Sequence, residues 1–262
     1  MILTIDIGNL NVLLGGFEGE KLTFTGRCAS DPSRTEDEYF LLIRDILGMY
    51  GVTPDQIEGG ILSSVVPSLR TIVCSAVERL TGQRFLVVGP RLKTGLNIRI
   101  DDPGELGSDM VVSAVAALAK YPKPIAIFDM ETATTLSVIN KDGAYLGGAL
   151  IPGLRVSVDA MSASAAQLPY ITLTPPAKLI CSSTVSCMQS GAVYGFAAMI
   201  DGLSDGVAEE LGEKPTILLT GSASKLVAPY CKRDIKLDEN LQLEGLRILY
   251  EKNQPKRKRD RN

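Results

Sequence analysis

The 262-residue sequence predicts a duplicated α/β fold, two halves each built on a mixed sheet. Three observations predict it. A strand, an Asp-bearing turn, a strand, a second turn and a third strand occur in that order twice, from Ile2 and again from Ile125, about 123 residues apart. Each meander then leads into alternating helical stripes and short apolar, β-prone segments. A hydrophobic fraction of 45% gives both halves enough apolar surface for a core. Repetition on this scale indicates duplicated domains rather than a solenoid. The expected boundaries are 1–122 for the N-terminal half, 123–253 for the C-terminal half and 254–262 for a basic, solvated tail.

In the first half, Ile2 to Ile5 forms a strand, Asp6-Ile7-Gly8-Asn9 a turn, and Asn11 to Phe17 a second strand. Glu18-Gly19-Glu20 turns the chain into a third strand at Leu22 to Thr25. Thr35-Glu36-Asp37-Glu38 is a capping box, opening a helix whose apolar face carries Tyr39, Leu42, Ile43 and Ile46. Gly60 to Val65 is a short buried strand. After Pro67, the residues Leu69, Ile72, Val73, Ala76, Val77 and Leu80 trace a helical stripe closed by Gly82. The second half repeats the pattern. Ile125 to Phe128, Thr135 to Ile139 and Tyr145 to Ile151 are its strands, with Asp129 and Thr132-Ala133-Thr134 in the first turn. Ser182 to Leu211 is mostly helical, Thr216 to Leu219 is a strand, and Gly221 to Ser224 turns into another helix. A last helix covers about Glu239 to Lys252.

Composition excludes several chemistries. The chain contains no histidine, which removes Ser-His-Asp and Cys-His catalysis, HExxH zinc sites and imidazole bases together. Acid–base work therefore falls on carboxylates, lysine, tyrosine or cysteine. Five scattered cysteines without a CxxC pair read as reduced thiols of a cytoplasmic protein. The segment MILTIDIGN is no signal peptide, and no apolar run reaches the ~20 residues that span a bilayer. Five of the 27 Lys and Arg and one of the 30 Asp and Glu lie in the terminal KRKRDRN, so the rest of the chain carries about −7. That balance argues against nucleic acid as a partner.

Three clusters carry candidate chemistry. An Asp-x-Gly-Asn turn between strands puts backbone N–H groups and a carboxylate at one point, suited to phosphate oxygens and Mg²⁺. The turn at Asp129 repeats it, so the two would face each other across a nucleotide cleft between the halves. No GxxxxGK[ST] P-loop is present. The third cluster, Pro103-Gly104-Glu105-Leu106-Gly107-Ser108-Asp109, runs into a helix from Met110 to Lys120 with Ser108 or a neighbour as N-cap. Asp109 falls in its first turn, where the helix dipole favours the ionised form and a carboxylate can accept a proton from a substrate hydroxyl.

At these residues the sequence resembles type III pantothenate kinases, of the acetate and sugar kinase/Hsp70/actin superfamily. The matching motifs are DIGN at 6–9, SSVVP at 63–67, PGELGSD at 103–109, D-x-x-TATT at 129–135, GGALIPG at 147–153, STVSCMQSGAVYG at 183–195 and LEGLRILYEKN at 243–253. They keep the family's order and spacing over residues 1–253. The resemblance implies duplicated ribonuclease-H-like, actin-type ATPase domains. It implies ATP-dependent phosphorylation of pantothenate to 4'-phosphopantothenate, the first step of coenzyme A synthesis, in a homodimer requiring Mg²⁺ and a monovalent cation, K⁺ or NH₄⁺. By position, Asp109 matches the general base. Asp6, Gly8, Asn9 and Asn11 match the first phosphate loop, with Asp6 at the Mg²⁺. Asp129, Thr132 and Thr134 match the second, with Asp129 at the monovalent cation. Gly107, Ser108, Asp109 and Thr184 match pantothenate contacts, Thr184 reaching across the dimer.

Five positions depart from that pattern. Leu10 replaces a Thr, Met110 an Arg, Ser113 an Asn and Ser222 the second Gly of a TGG nucleotide loop. Glu131 stands where the second phosphate turn usually has Gly, adding bulk and charge. A like-charge contact at ~4 Å costs up to about 4 kcal/mol at an effective dielectric near 20. Retained Asp6, Asp109 and Asp129 favour an active kinase. Leu10, Met110 and Glu131 favour a catalytically impaired relative with a regulatory or ligand-binding role.

Overall fold

A computed structural model describes residues 1–254; residues 255–262 of the expected tail lie outside the described residues. The first elements are β1 (Ile2–Ile7), β2 (Asn11–Glu18), β3 (Lys21–Ala29), α1 (Glu36–Met49), β4 (Gly59–Ser64), α2 (Pro67–Thr81), β5 (Phe85–Val87), β6 (Asn97–Ile98) and α3 (Ser108–Lys120). There follow β7 (Ile125–Met130), β8 (Ala133–Ile139), β9 (Ala144–Pro152), α4 (Leu154–Ser164), α5 (Thr184–Leu211), β10 (Thr216–Thr220), α6 (Ser224–Val227), β11 (Ile235–Leu237) and α7 (Leu241–Asn253).

The first sheet has the order β3-β2-β1-β4-β5, antiparallel through the meander and parallel from β1 onward. The second, read from β9, runs β9-β8-β7-β10-β11 with the same directions, and β6 adds in parallel outside β9. The duplication is therefore one of topology, strand for strand. Central strands β1 and β7 are almost wholly buried, which explains why both read as apolar runs rather than alternating ones. The capping box of α1 forms as expected, Glu38 N donating to Thr35 Oγ1 and Thr35 N to Glu38 Oε2. Gly82, at φ +68°, ends α2 in the left-handed conformation.

The chain divides into two compact units. Among the described residues, the first takes Met1–Gly95, Gly104–Ala116 and 242–254; the second takes Leu96–Pro103 and Ala117–Leu241. These limits differ from a division at 122, because α7 belongs to the first unit. Its Leu246 and Leu249 pack with Val112 and Val115 of α3 and with Ile61 of β4. The crossing is close: a Cβ on Gly245 would lie 2.1 Å from the Val112 carbonyl oxygen. On the opposite face, Leu62 and the β1 and β2 side chains join Tyr39, Ile43, Leu69 and Val73 of α1 and α2. In the second unit, Ala126, Phe128 and Leu219 of the sheet pack with Leu154, Ala197, Ile200 and Val227. Among the described residues, no helix is long and apolar enough to cross a membrane.

Candidate functional site

In the first unit the strand runs further than its sequence suggests. Ile7 is fully buried and pairs with Val12 and Ser64, so β1 continues past Asp6 and the acid lies in the strand rather than in the turn. Its register partners are Leu13 and Ser63. Asp6 is only 6% exposed, and the buried Ser63 donates its hydroxyl to Asp6 Oδ1 at 2.5 Å. Ser63 opens the SSVVP motif, but its bond to Asp6 is not legible there; a serine inside an otherwise apolar buried strand is the available signal. The turn itself closes by Gly8 N donating to the Asn11 carbonyl at 2.9 Å. Ser30 braces it, donating its hydroxyl to the Gly8 carbonyl at 2.6 Å. Asn9 and Leu10 are exposed at the tip, and Asn11 opens β2 opposite Ala29.

Helix α3 starts beside the end of β4. Ser108 lies inside the helix and donates its hydroxyl to the Ser64 carbonyl at 3.1 Å. Asp109 falls in the first turn, as expected. Burial pushes its carboxyl above the ordinary value of 3.8, against the pull of the backbone N–H groups of Met110 and Asp109. Gly107 makes room for it, since a Cβ there would lie 2.4 Å from Asp109 Oδ1. Asp6, the Gly8–Asn11 turn and the start of α3 thus gather at the C-terminal ends of parallel β1 and β4, the edge where open α/β sheets bind ligands. Further along α3, Ser113 is buried and its hydroxyl has no hydrogen-bond partner among the described residues.

The second unit repeats the arrangement. Asp129 sits in β7 one residue before its end, 6% exposed, between Thr135 on β8 and Thr220 on β10. Glu131 N donates to the Ala133 carbonyl at 3.1 Å, as Gly8 N does to Asn11, so Glu131 is the counterpart of Gly8. No residue other than glycine has a positive φ among the described residues, so a side chain at 131 strains nothing. Nor does its carboxylate hang free. Glu131 Oε1 accepts from Ser222 N at 2.6 Å and Oε2 from the Ser222 hydroxyl at 3.0 Å. Thr132 is half-buried, and its carbonyl accepts from Gly153 N at 3.0 Å. Thr134 follows Ala133 in β8 and is 0% exposed, and its hydroxyl has no hydrogen-bond partner among the described residues.

Gly221 follows β10 at φ +86°, and a Cβ there would lie 2.6 Å from Asp129 Oδ1 and from Met130 N. Thr184 is the first residue of α5, after the N-cap Ser183, and is exposed. It lines a cavity of about 870 Å³ with Met161, Leu168, Cys187, Gly191 and Phe196. No group of three or more His, Cys, Asp or Glu side chains suits a metal among the described residues. A buried carboxylate such as Asp6 fits Mg²⁺ nonetheless, which usually takes one or two carboxylates and completes its shell with water and phosphate oxygens.

A family model for type III pantothenate kinase matches residues 2–206. The chain belongs to that family. The type III pantothenate kinase of Brevibacillus brevis is 40% identical over 254 residues, 97% of this chain and 100% of the relative. That of Geobacter sulfurreducens is 42% identical over 257 residues, covering 97% and 99%. Among solved structures, an inorganic polyphosphate/ATP-glucomannokinase from Arthrobacter shares the fold at TM-score 0.51 and 12% identity, over 96% of this chain and 98% of that one. The twin sheets are those of duplicated ribonuclease-H-like units, as in actin-type ATPases and sugar kinases. As a type III pantothenate kinase the chain is a phosphotransferase, and nothing in its fold or its relatives favours the impaired alternative.

Proposed function

We propose that this chain transfers the γ-phosphoryl group of ATP to the primary hydroxyl of pantothenate, with Asp109 as general base. The observation that carries the reading is a desolvated carboxyl held in the first turn of α3, in the gap left by Gly107. Raising its proton affinity makes it a better acceptor. As the hydroxyl oxygen attacks phosphorus, its proton passes to Asp109 and ADP leaves. Gly107 and Ser108 border that carboxylate and contact pantothenate, and Thr184 supplies a further contact by reaching across the dimer.

The turn of Gly8, Asn9 and Asn11 contacts the phosphates. Asp6, steadied by Ser63, would hold Mg²⁺. The metal, when bound, neutralises charge on the phosphates. Thr132 and Thr134 contact the phosphates from the turn after β7, and Asp129, buried at 6% exposure, would hold K⁺ or NH₄⁺.

The protein acts as a homodimer in the cytoplasm. Support for self-association comes from exposed Leu150, Tyr170, Leu179, Ile180 and Val185 in the second unit, together with the apolar cavity beside α5. All five cysteines are free thiols, which suits a reducing compartment. A coupled ADP-release assay with ATP, Mg²⁺ and K⁺ tests the activity. Release that depends on pantothenate and yields 4'-phosphopantothenate is expected. ADP release indifferent to pantothenate would overturn the proposal.

A further inference from the structure

Two residues that depart from the family pattern, 91 positions apart, bind each other. The carboxylate of Glu131 accepts both donors of Ser222, the backbone N–H at 2.6 Å and the hydroxyl at 3.0 Å. Two further ties hold the same pair of turns. Gly221 lies against Asp129 and Met130 closely enough to exclude a Cβ, and Ala223 N donates to the Met130 carbonyl at 3.2 Å. Between these, the charge-assisted bonds to Ser222 fix the only residue of the Gly221–Ala223 loop that is exposed.

We propose that Glu131 is a positioning residue for the nucleotide, a clasp that orders the Gly221–Ser222 loop before ATP arrives. The proposal rests on the kinase reading above. A loop already ordered has less conformational freedom to lose on binding, and freeing one residue's backbone corresponds to about tenfold in affinity. The negative charge that a glycine-to-glutamate change introduces is taken up by two donors within the same unit. The phosphates therefore meet a carboxylate already engaged.

The test uses Glu131→Gly, Glu131→Gln, Ser222→Gly and the double variant Glu131→Gly with Ser222→Gly, in the full-length protein. Three readouts apply: ADP binding by calorimetry, the ATP KM against kcat, and hydrogen exchange at the Ser222 amide without nucleotide. Glu131→Gly should speed Ser222 exchange and weaken ADP binding and ATP KM by about tenfold, with kcat within about twofold. Glutamine can accept from the Ser222 N–H and donate to the Ser222 hydroxyl, so Glu131→Gln should stay within about threefold of wild type. Ser222→Gly should cost less once Glu131 is glycine than it does in the wild type, because the partner is gone and only the added backbone freedom remains.

Tighter ATP binding in Glu131→Gly would overturn the clasp in favour of simple repulsion. Equal losses in the Gln and Gly variants would overturn it in favour of a required charge, as at a cation site. Unchanged Ser222 exchange in Glu131→Gly would overturn it outright. Exchange and ADP binding are independent of pantothenate. A wild type that binds ADP but ignores pantothenate would thus refute the kinase reading and leave these two results to decide the clasp.

Discussion

Replacing Asp109 with Asn should separate catalysis from stability in opposite directions. Two effects compete on the native carboxylate. Its place in the first turn of α3 favours ionisation by ~0.3–1 kcal/mol through the helix dipole. Desolvation disfavours ionisation and wins, because the folded pKa lies above the ordinary 3.8. With the folded value above the unfolded one, the native state holds the proton more tightly. The stability penalty of ionising is absent below the unfolded pKa, grows as pH rises through the folded one and is complete above it. At neutral pH, Asn carries no such penalty, so Asp109→Asn should unfold at an equal or higher temperature than wild type. Any such gain should shrink as the pH falls through the carboxylate range. Catalysis should move the other way, because a positioned base contributes ~10²–10⁴-fold, about 2.7–5.4 kcal/mol of barrier. The assay is kcat/KM against pH together with thermal unfolding at matched pH. Wild type should lose activity on an acid limb set above the ordinary Asp value, and Asp109→Asn should have both low activity and no such limb. Near-normal turnover in Asp109→Asn would refute the reasoning, and a destabilised Asn variant at neutral pH would refute its electrostatic half.

Gly107→Ala places a Cβ 2.4 Å from Asp109 Oδ1, the far end of a side chain that can swing away. Steady-state kinetics should show kcat reduced about tenfold or more from the displaced base, with stability within ~1 kcal/mol by denaturant titration. Ser63→Ala removes the donor bonded to buried Asp6, so stability should fall by ~1.5–3 kcal/mol and the Mg²⁺ concentration for half-maximal rate should rise. A Mg²⁺ titration and urea melts check both. Gly221→Ala puts a side chain at φ +86° and against Met130 backbone, costing ~1–2 kcal/mol in conformation alone and more from the overlap. Chemical denaturation should show a loss of about 3 kcal/mol, with ADP binding weakened in parallel.

The meanders and helices were legible because alternation, capping boxes and glycine stops are local signals. Thr35 with Glu38 and the Gly82 stop form where the sequence places them. The strand ends were less legible. Whether Asp6 ends a strand or starts a turn depends on Ile7 finding Val12 and Ser64, a pairing across the sheet. Starting β8 at Ala133 rather than Thr135 puts the buried Thr134 inside the strand. Glu131 stood out as a departure, yet its partner lies 91 residues away and no local pattern joins them. An amphipathic stripe likewise says that a helix buries one face, but not against which sheet, so the destination of α7 could not be read.

That destination bears on how the protein matures on the ribosome. The first unit holds the earliest strands but is unfinished until Leu246 and Leu249 emerge to cover Ile61, Val112 and Val115. The stretch from Ala117 to Leu241, by contrast, carries five of the six strands of the second sheet without interruption. Domains fold as units once their sequence is available, usually N-terminal first. Here the order of synthesis and the order of completion are reversed: the later half can close first, while the earlier half waits with an apolar face exposed. A stop codon just before α7 would therefore strike the opposite end of the gene's product, leaving the nascent N-terminal sheet, rather than its neighbour in sequence, as the surface that chaperones and proteases find.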